Sequence, residues 1–144
     1  MKYLKACLHE SQRLNPVVIG FSSTVPADIV LGGYQIPREI IVSCFTRNLM
    51  LDRDNFTNPL QFKPERWLRG CPQHHKAHPF AYVPFGHGPR KCIWMRFAEL
   101  EMFIIVIKLL QSYKLEYHHQ PVGIKTDFVN KPDKKIKMKF IPRT

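Results

Sequence analysis

Phe85-Gly86-His87-Gly88-Pro89-Arg90-Lys91-Cys92 is the stretch on which the reading of this chain turns. It sets one cysteine in a glycine-rich loop just ahead of an apolar run whose spacing predicts a helix from about Arg96 to Ser112. A thiolate stays deprotonated only in an electropositive, partly screened setting, and the free N–H groups at a helix start supply one. Glycines at 86 and 88 let the backbone lie close against a flat ligand. Arg90, just ahead of the cysteine, can pair with a carboxylate at that ligand's edge.

A large planar dicarboxylate held by a cysteine thiolate describes haem. The stretch closely resembles the haem-binding loop of the cytochrome P-450 superfamily, the haem-thiolate monooxygenases. The resemblance implies that Cys92 is the axial ligand of the iron in haem (iron protoporphyrin IX) and that Phe85 is the aromatic shielding the sulfur. It also places Gly88 in the cofactor-binding loop and makes Arg90 the propionate partner.

Two further motifs appear in the family's order. Glu10 and Arg13, three apart, share one face of a helix. Taken alone they read as a surface ion pair. The segment Phe62-Lys63-Pro64-Glu65-Arg66-Trp67 changes that. The family pairs a helical Glu-x-x-Arg with an arginine in such a Pro-Glu-Arg segment. The resemblance therefore implies a structural clamp of Glu10, Arg13 and Arg66, in which one glutamate between two guanidiniums can be buried with every lone pair satisfied. No catalytic residue is assignable, because the resemblance covers only the cysteine-ligand side of the family's domain.

The phrases Leu31-Gly32-Gly33-Tyr34-Gln35-Ile36-Pro37, Arg96-Phe97-Ala98-Glu99-Leu100-Glu101 and Val122-Gly123-Ile124-Lys125-Thr126 look like the mitochondrial class of animals. Several positions depart from that pattern. Trp94 stands where the family has glycine, and an indole there is expected to crowd the turn after Cys92 unless it is turned away. Ser23 replaces a second propionate-binding arginine, and Glu39 replaces a turn glycine. His9 and Met95 replace basic residues associated with ferredoxin docking, while Lys5 is retained.

At 144 residues the chain has room for one ordinary core. Its net charge of +11 implies an acidic partner. The four cysteines show no tight pairing pattern, which suits free thiols in a reduced compartment. Cys71 with His74, His75 and His78 offers a zinc alternative, disfavoured because the second half of any finger spacing is missing. Lysines in the tail lack the interleaved aromatics of a nucleic-acid surface, so no nucleic acid is expected as a partner. The longest apolar run, Met102 to Ile107, is too short to span a bilayer, and residues 1–15 hold neither a secretory h-region nor an amphipathic presequence.

A helix running from the first residues and ending before Pro16 is predicted by Tyr3, Leu4, Cys7, Leu8 and Leu14. Ile29-Val30-Leu31 and Tyr34-Gln35-Ile36 flank Gly32-Gly33 as a tight hairpin, and Ile40-Ile41-Val42 reads as a short strand. Residues 52–80 read as an irregular meander. The late helix should bury a broad face of Leu100, Phe103, Ile104, Ile107 and Leu110. Ile136, Met138 and Phe140 alternate with lysines as a half-exposed strand.

The expected fold is mainly α with small β hairpins: residues 1–144 as the C-terminal, haem-binding part of one cytochrome P-450 domain. The N-terminal part and the central oxygen-activating helix are absent, as if Met1 lay inside a helix of a longer protein. The resemblance implies a monooxygenase acting on a lipophilic substrate, such as a sterol or ecdysteroid, with O2. It further implies an acidic ferredoxin as electron donor, association of the full-length protein with a membrane, and a place on the matrix side of the mitochondrial inner membrane, with the endoplasmic reticulum as alternative. A catalytically inactive haem-binding remnant and, behind it, a basic nucleic-acid-binding module stay open beside this reading.

Overall fold

The computed structural model describes residues 1–70 and 77–143. Cys71, His74 and His75 of the zinc alternative lie outside the described residues. His78 is described, and its ring Nδ1 accepts from the Phe80 N–H at 3.2 Å.

Helix α1 spans Lys2–Leu14 and ends where the Asn15 N–H closes onto the Ser11 carbonyl at 2.8 Å. Pro16 follows, and the residue before a proline is pushed out of the helical region. The buried stripe of α1 is Ala6, Glu10 and Arg13, so the helix turns an ion pair inward. Strand β1 (Phe21–Thr24) comes next, then β2 (Ile29–Leu31) and β3 (Tyr34–Ile36). Gly32 and Gly33 join β2 to β3 at φ 57 and 84, the positive values that a two-residue turn between twisted strands demands. Strand β4 (Ile41–Cys44) pairs back with β1, Phe21 opposite Cys44 and Thr24 opposite Ile41. A short helix α2 (Thr46–Met50) leads into the irregular stretch, which carries 3-10 turns at Pro64–Trp67 and Pro79–Ala81.

The long helix α3 covers Met95–Ser112 and runs straight into β5 (Tyr113–Glu116). Strands β6 (Ile124–Thr126) and β7 (Asn130–Pro132) form a hairpin, and β8 (Lys139–Pro142) closes the chain against β5. Asn130 ties the hairpin to the exit of α1: its N–H reaches the Val17 carbonyl at 2.8 Å, and its side-chain amide reaches the Pro16 carbonyl at 2.7 Å. Among the described residues all four sheets are two-stranded and antiparallel.

Two expectations need correction, and one strand lies outside them. The tail strand lies further on than the alternation of Ile136, Met138 and Phe140 suggests, because pairing with β5 begins only at Lys139 opposite Glu116. Alternation without a partner strand does not make a ladder. Phe21–Thr24 is a strand although Phe-Ser-Ser-Thr carries no alternation, since β4 pairs with it. Finally, no residue of α3 is buried, and Leu100 and Ile104 are half exposed. Phe97 and Ile105 are likewise exposed, so α3 shows apolar side chains well beyond a single stripe. That is the composition of a helix surrounded by other elements, and the described residues leave it uncovered.

The core is small and sits under α1. Met50 and Phe56 are fully buried beside Glu10, Arg13 and Arg66, so charged groups make up much of the interior.

Candidate haem site and the charged cluster behind it

Residues 85–92 form a closed loop. The Cys92 N–H donates to the Phe85 carbonyl at 2.9 Å, and the Gly86 N–H donates to the Val83 carbonyl at 3.0 Å. Gly86 and Gly88 hold φ of 74 and 73, a region that disfavours any side chain. A 3-10 turn at Gly88–Arg90 lifts Arg90 and Cys92 to the surface, where both are exposed. From Cys92 the chain makes one more turn, with the Met95 N–H on the Cys92 carbonyl at 3.3 Å, before α3 begins. The cysteine therefore stands one turn ahead of the helix, beside its start.

The charged cluster lies where the clamp motif expects it. Glu10 receives the Arg13 Nε at 2.9 Å on Oε2 and the Arg13 Nη2 at 2.8 Å on Oε1. The Arg66 Nε adds a third donor on Oε1 at 3.0 Å, and the Lys63 backbone N–H a fourth at 2.9 Å. The Trp67 indole N–H completes the set on Oε2 at 2.9 Å. Further guanidinium N–H groups go to backbone: Arg13 Nη1 to the Met50 carbonyl at 2.7 Å, and Arg66 Nη2 to the Thr57 carbonyl at 3.2 Å. The Phe56 ring lies under both cations, 5.0 Å from Arg13 and 5.8 Å from Arg66. Burial works to raise the Glu10 carboxyl, but the bonds from Arg13, Lys63 and Trp67 outweigh it and hold the group below its ordinary value.

Haem demands a thiolate within reach of the iron, a flat approach and cations for two propionates. The loop suits the flat approach: Cys92 is exposed, and a side chain built on Gly88 would meet no atom within 4 Å, so the surface beside it is open. Arg90 has no acceptor among the described residues, which leaves its guanidinium available for a carboxylate. Phe85 is half-buried at the loop's foot. These residues fit the group. The cytochrome P-450 family model matches residues 1–140. The chain belongs to the cytochrome P-450 family.

Among curated relatives, the probable cytochrome P-450 301a1, mitochondrial, of Drosophila melanogaster is 40% identical over 97% of this chain and 26% of its own length. The probable cytochrome P-450 12a5, mitochondrial, of the same fly is 35% identical over 96% of the chain and 28% of its own length. The 1,25-dihydroxyvitamin D(3) 24-hydroxylase, mitochondrial, of Rattus norvegicus is 37% identical over 99% of the chain and 27% of its own length. The chain thus spans about a quarter of the length of the curated relatives it matches.

Within this cytochrome P-450 chain the departures from the family pattern fall in different surroundings. Trp94 is 67% exposed and meets Phe97 edge-on at 6.1 Å, so its indole leans along α3 and leaves the loop uncrowded. Glu39 holds φ 68, the conformation a turn glycine would adopt. Ser23 is exposed on β1 opposite Val42. His9 is half-buried between Trp67 and Tyr82, 5.3 and 5.5 Å away, so it faces the interior and not a docking partner. His87 packs edge-on against Phe80 at 4.7 Å. A cavity of about 230 Å³ lies away from the cysteine loop, between Ile19, Phe45, Arg47, Asn48, Ile124 and Thr126. Sequence reasoning missed Trp67 as a donor to Glu10 and missed the Tyr82 hydroxyl on Gln12 Oε1 at 2.8 Å. The one signal for Trp67 was its place next to Arg66, and nothing in the sequence marked Tyr82.

Proposed function

We propose that residues 1–144 form the C-terminal, haem-binding part of a single cytochrome P-450 domain, with Cys92 as the thiolate ligand. The observation that carries this is the closed loop, in which the Cys92 N–H is spent on Phe85 while the cysteine stays exposed beside the start of α3. Bound through a cysteine thiolate, haem supplies O2 activation and the insertion of one oxygen atom into a substrate, the other leaving as water. The chain's own part is to hold and orient. Cys92 ligates, Arg90 takes a propionate, Gly88 leaves room for the flat face and Phe85 screens the sulfur. The N–H groups of Ile93 and Trp94, next along the chain, are the donors available to tune the sulfur. Glu10, Arg13 and Arg66 act behind the site as a structural clamp.

The whole protein would then be a monooxygenase for a lipophilic substrate, a sterol or ecdysteroid by analogy with the mitochondrial class. A relative named as a vitamin D hydroxylase supports that class of ligand. The net charge of +11 suits an acidic ferredoxin as electron donor. Relatives named as mitochondrial support a mitochondrial location. A place for the full-length protein on the matrix side of the inner membrane rests on the resemblance to the class alone. A haem-binding remnant without turnover is the second reading, favoured by Ser23, which offers no cation to a second propionate.

The test is the carbon monoxide difference spectrum of the reduced, haem-loaded protein. Thiolate ligation gives a red-shifted Soret band, and Cys92→Ser should abolish it. Survival of that band in the variant would hand the iron to another residue and defeat the assignment. Haem binding with a thiolate band but no substrate oxidation, in the full-length protein with its reductase partners, would select the remnant.

A further inference from the structure

Tyr82 lies three residues ahead of Phe85, on the stem that carries the cysteine loop, and α1 holds it from two sides. Its hydroxyl donates to Gln12 Oε1 at 2.8 Å. Its ring lies 4.6 Å from that of Trp67, and the Trp67 N–H is bonded to Glu10. His9, on the same helix, packs against both rings. Burial, reinforced by the Glu99 and Glu10 carboxylates, drives the Tyr82 phenol far above its ordinary value, so it remains a donor across the working pH range. The two bonds that close the loop end on the residues that follow, Val83 and Phe85. Gly86 and Cys92 are therefore placed by a stem whose side-chain hydrogen bond to α1 is made by Tyr82.

We infer that Tyr82, Gln12 and Trp67 are positioning residues, which carry the fixed geometry of the Glu10 cluster into the loop and set where the Cys92 sulfur stands. This rests on the reading of Cys92 as the haem ligand. The charged cluster touches the stem through Trp67, whose ring meets that of Tyr82 while its N–H holds Glu10. Phe80 and His87 pack together at 4.7 Å, but both belong to the stem and loop and give no hold on α1. With the hydroxyl gone, the stem keeps its ring contact and loses its directional bond.

The experiment compares the 144-residue chain with Tyr82→Phe by residue-resolved hydrogen exchange and by haem titration. Losing one net hydrogen bond should speed exchange at the Gly86 and Cys92 amides by about fivefold. The Asn15 amide at the end of α1 should be unchanged. In haem-loaded samples the share of thiolate-ligated iron should fall in step. Tyr82→Phe combined with Gln12→Leu should be no worse than Tyr82→Phe alone, because both remove the same bond. Unchanged exchange at Gly86 and Cys92 overturns the inference, and so does equal acceleration through α1 and α3, which would mean general loosening. A parent chain with no thiolate band defeats the proposed function instead, and the exchange comparison then decides the bridge by itself.

Discussion

The Trp67 indole N–H sits on Oε2 of Glu10 at 2.9 Å, the carboxylate oxygen opposite the one that Arg66 engages at 3.0 Å. Two consecutive residues of one 3-10 turn thus divide a single carboxylate between them, while Arg13 bridges both oxygens from α1. Two neutral donors, the Trp67 indole and the Lys63 N–H, and two cations together saturate a group that has no exposure to water. Proline at the head of that turn fixes its entry, which directs both side chains at the same target.

Replacing the carboxylate should be costly for that reason. In Glu10→Gln, Arg13 and Arg66 face a neutral amide while both remain buried. Breaking a buried pair from one side removes about 3–5 kcal/mol of stability. Urea denaturation should show a loss of that order. A loss under about 1 kcal/mol would mean that the Met50 and Thr57 carbonyls are sufficient partners for the two cations.

Acid should unfold the chain in two stages. Burial, aided by Lys5 and opposed by Glu99, lowers His9, so the folded form resists taking up a proton. Its share of stability is present above the ordinary histidine value of 6.5 and is lost as pH falls through the lower folded value. Glu10 follows the same sign at lower pH: its share is intact above the ordinary 4.5 and disappears as pH drops through its depressed folded value. Stability against pH should show the first decline below 6.5 and a second below 4.5, the first absent in His9→Phe. A flat profile down to the lower value would contradict the packing of His9.

Trp94→Gly should not improve haem occupancy. The indole is mostly in solvent and leans on Phe97, so there is no crowding for glycine to relieve. Stability should change by no more than about 0.5 kcal/mol, as for other exposed sites. A marked rise in haem uptake would show that the ring enters the loop when the cofactor arrives.

Glu39→Asn should stabilise the turn between β3 and β4 by about 0.5–1 kcal/mol, since asparagine accepts positive φ more readily than glutamate. The Glu39 N–H bond to the Val25 carbonyl at 2.7 Å is a main-chain contact and survives the change. Thermal denaturation of the pair measures it, and an unchanged midpoint would remove strain at this residue from consideration.

Features written in neighbouring residues were legible. Pro16 and the Asn15 closure end α1, two glycines make the hairpin between β2 and β3, and 3.6-residue spacing gives α3 almost to the residue. What depends on a distant partner was not. Strand β1 exists because β4 lies beside it, and β8 starts where β5 can pair. The same division holds at the candidate site. The loop and the three charged residues could be read from their motifs. The Trp67 and Tyr82 contacts depend on side-chain directions set by two 3-10 turns and a helix, which no spacing rule encodes. His9, which stands where the family has a basic residue associated with ferredoxin docking, has its ring packed between two aromatics, and nothing in the sequence marked that contact.

The four two-stranded ladders have a consequence for handling the chain. Each strand among the described residues has a strand neighbour on one side only, so the outer edges of the ladders lack a strand partner, though single contacts such as the Asn130 N–H on the Val17 carbonyl touch them. Such pairs are marginal by themselves and act as templates for further strands. Refolding of the isolated polypeptide should therefore lose yield steeply with rising concentration, through bonding between strands of different molecules, and dilution or arginine in the buffer should restore it.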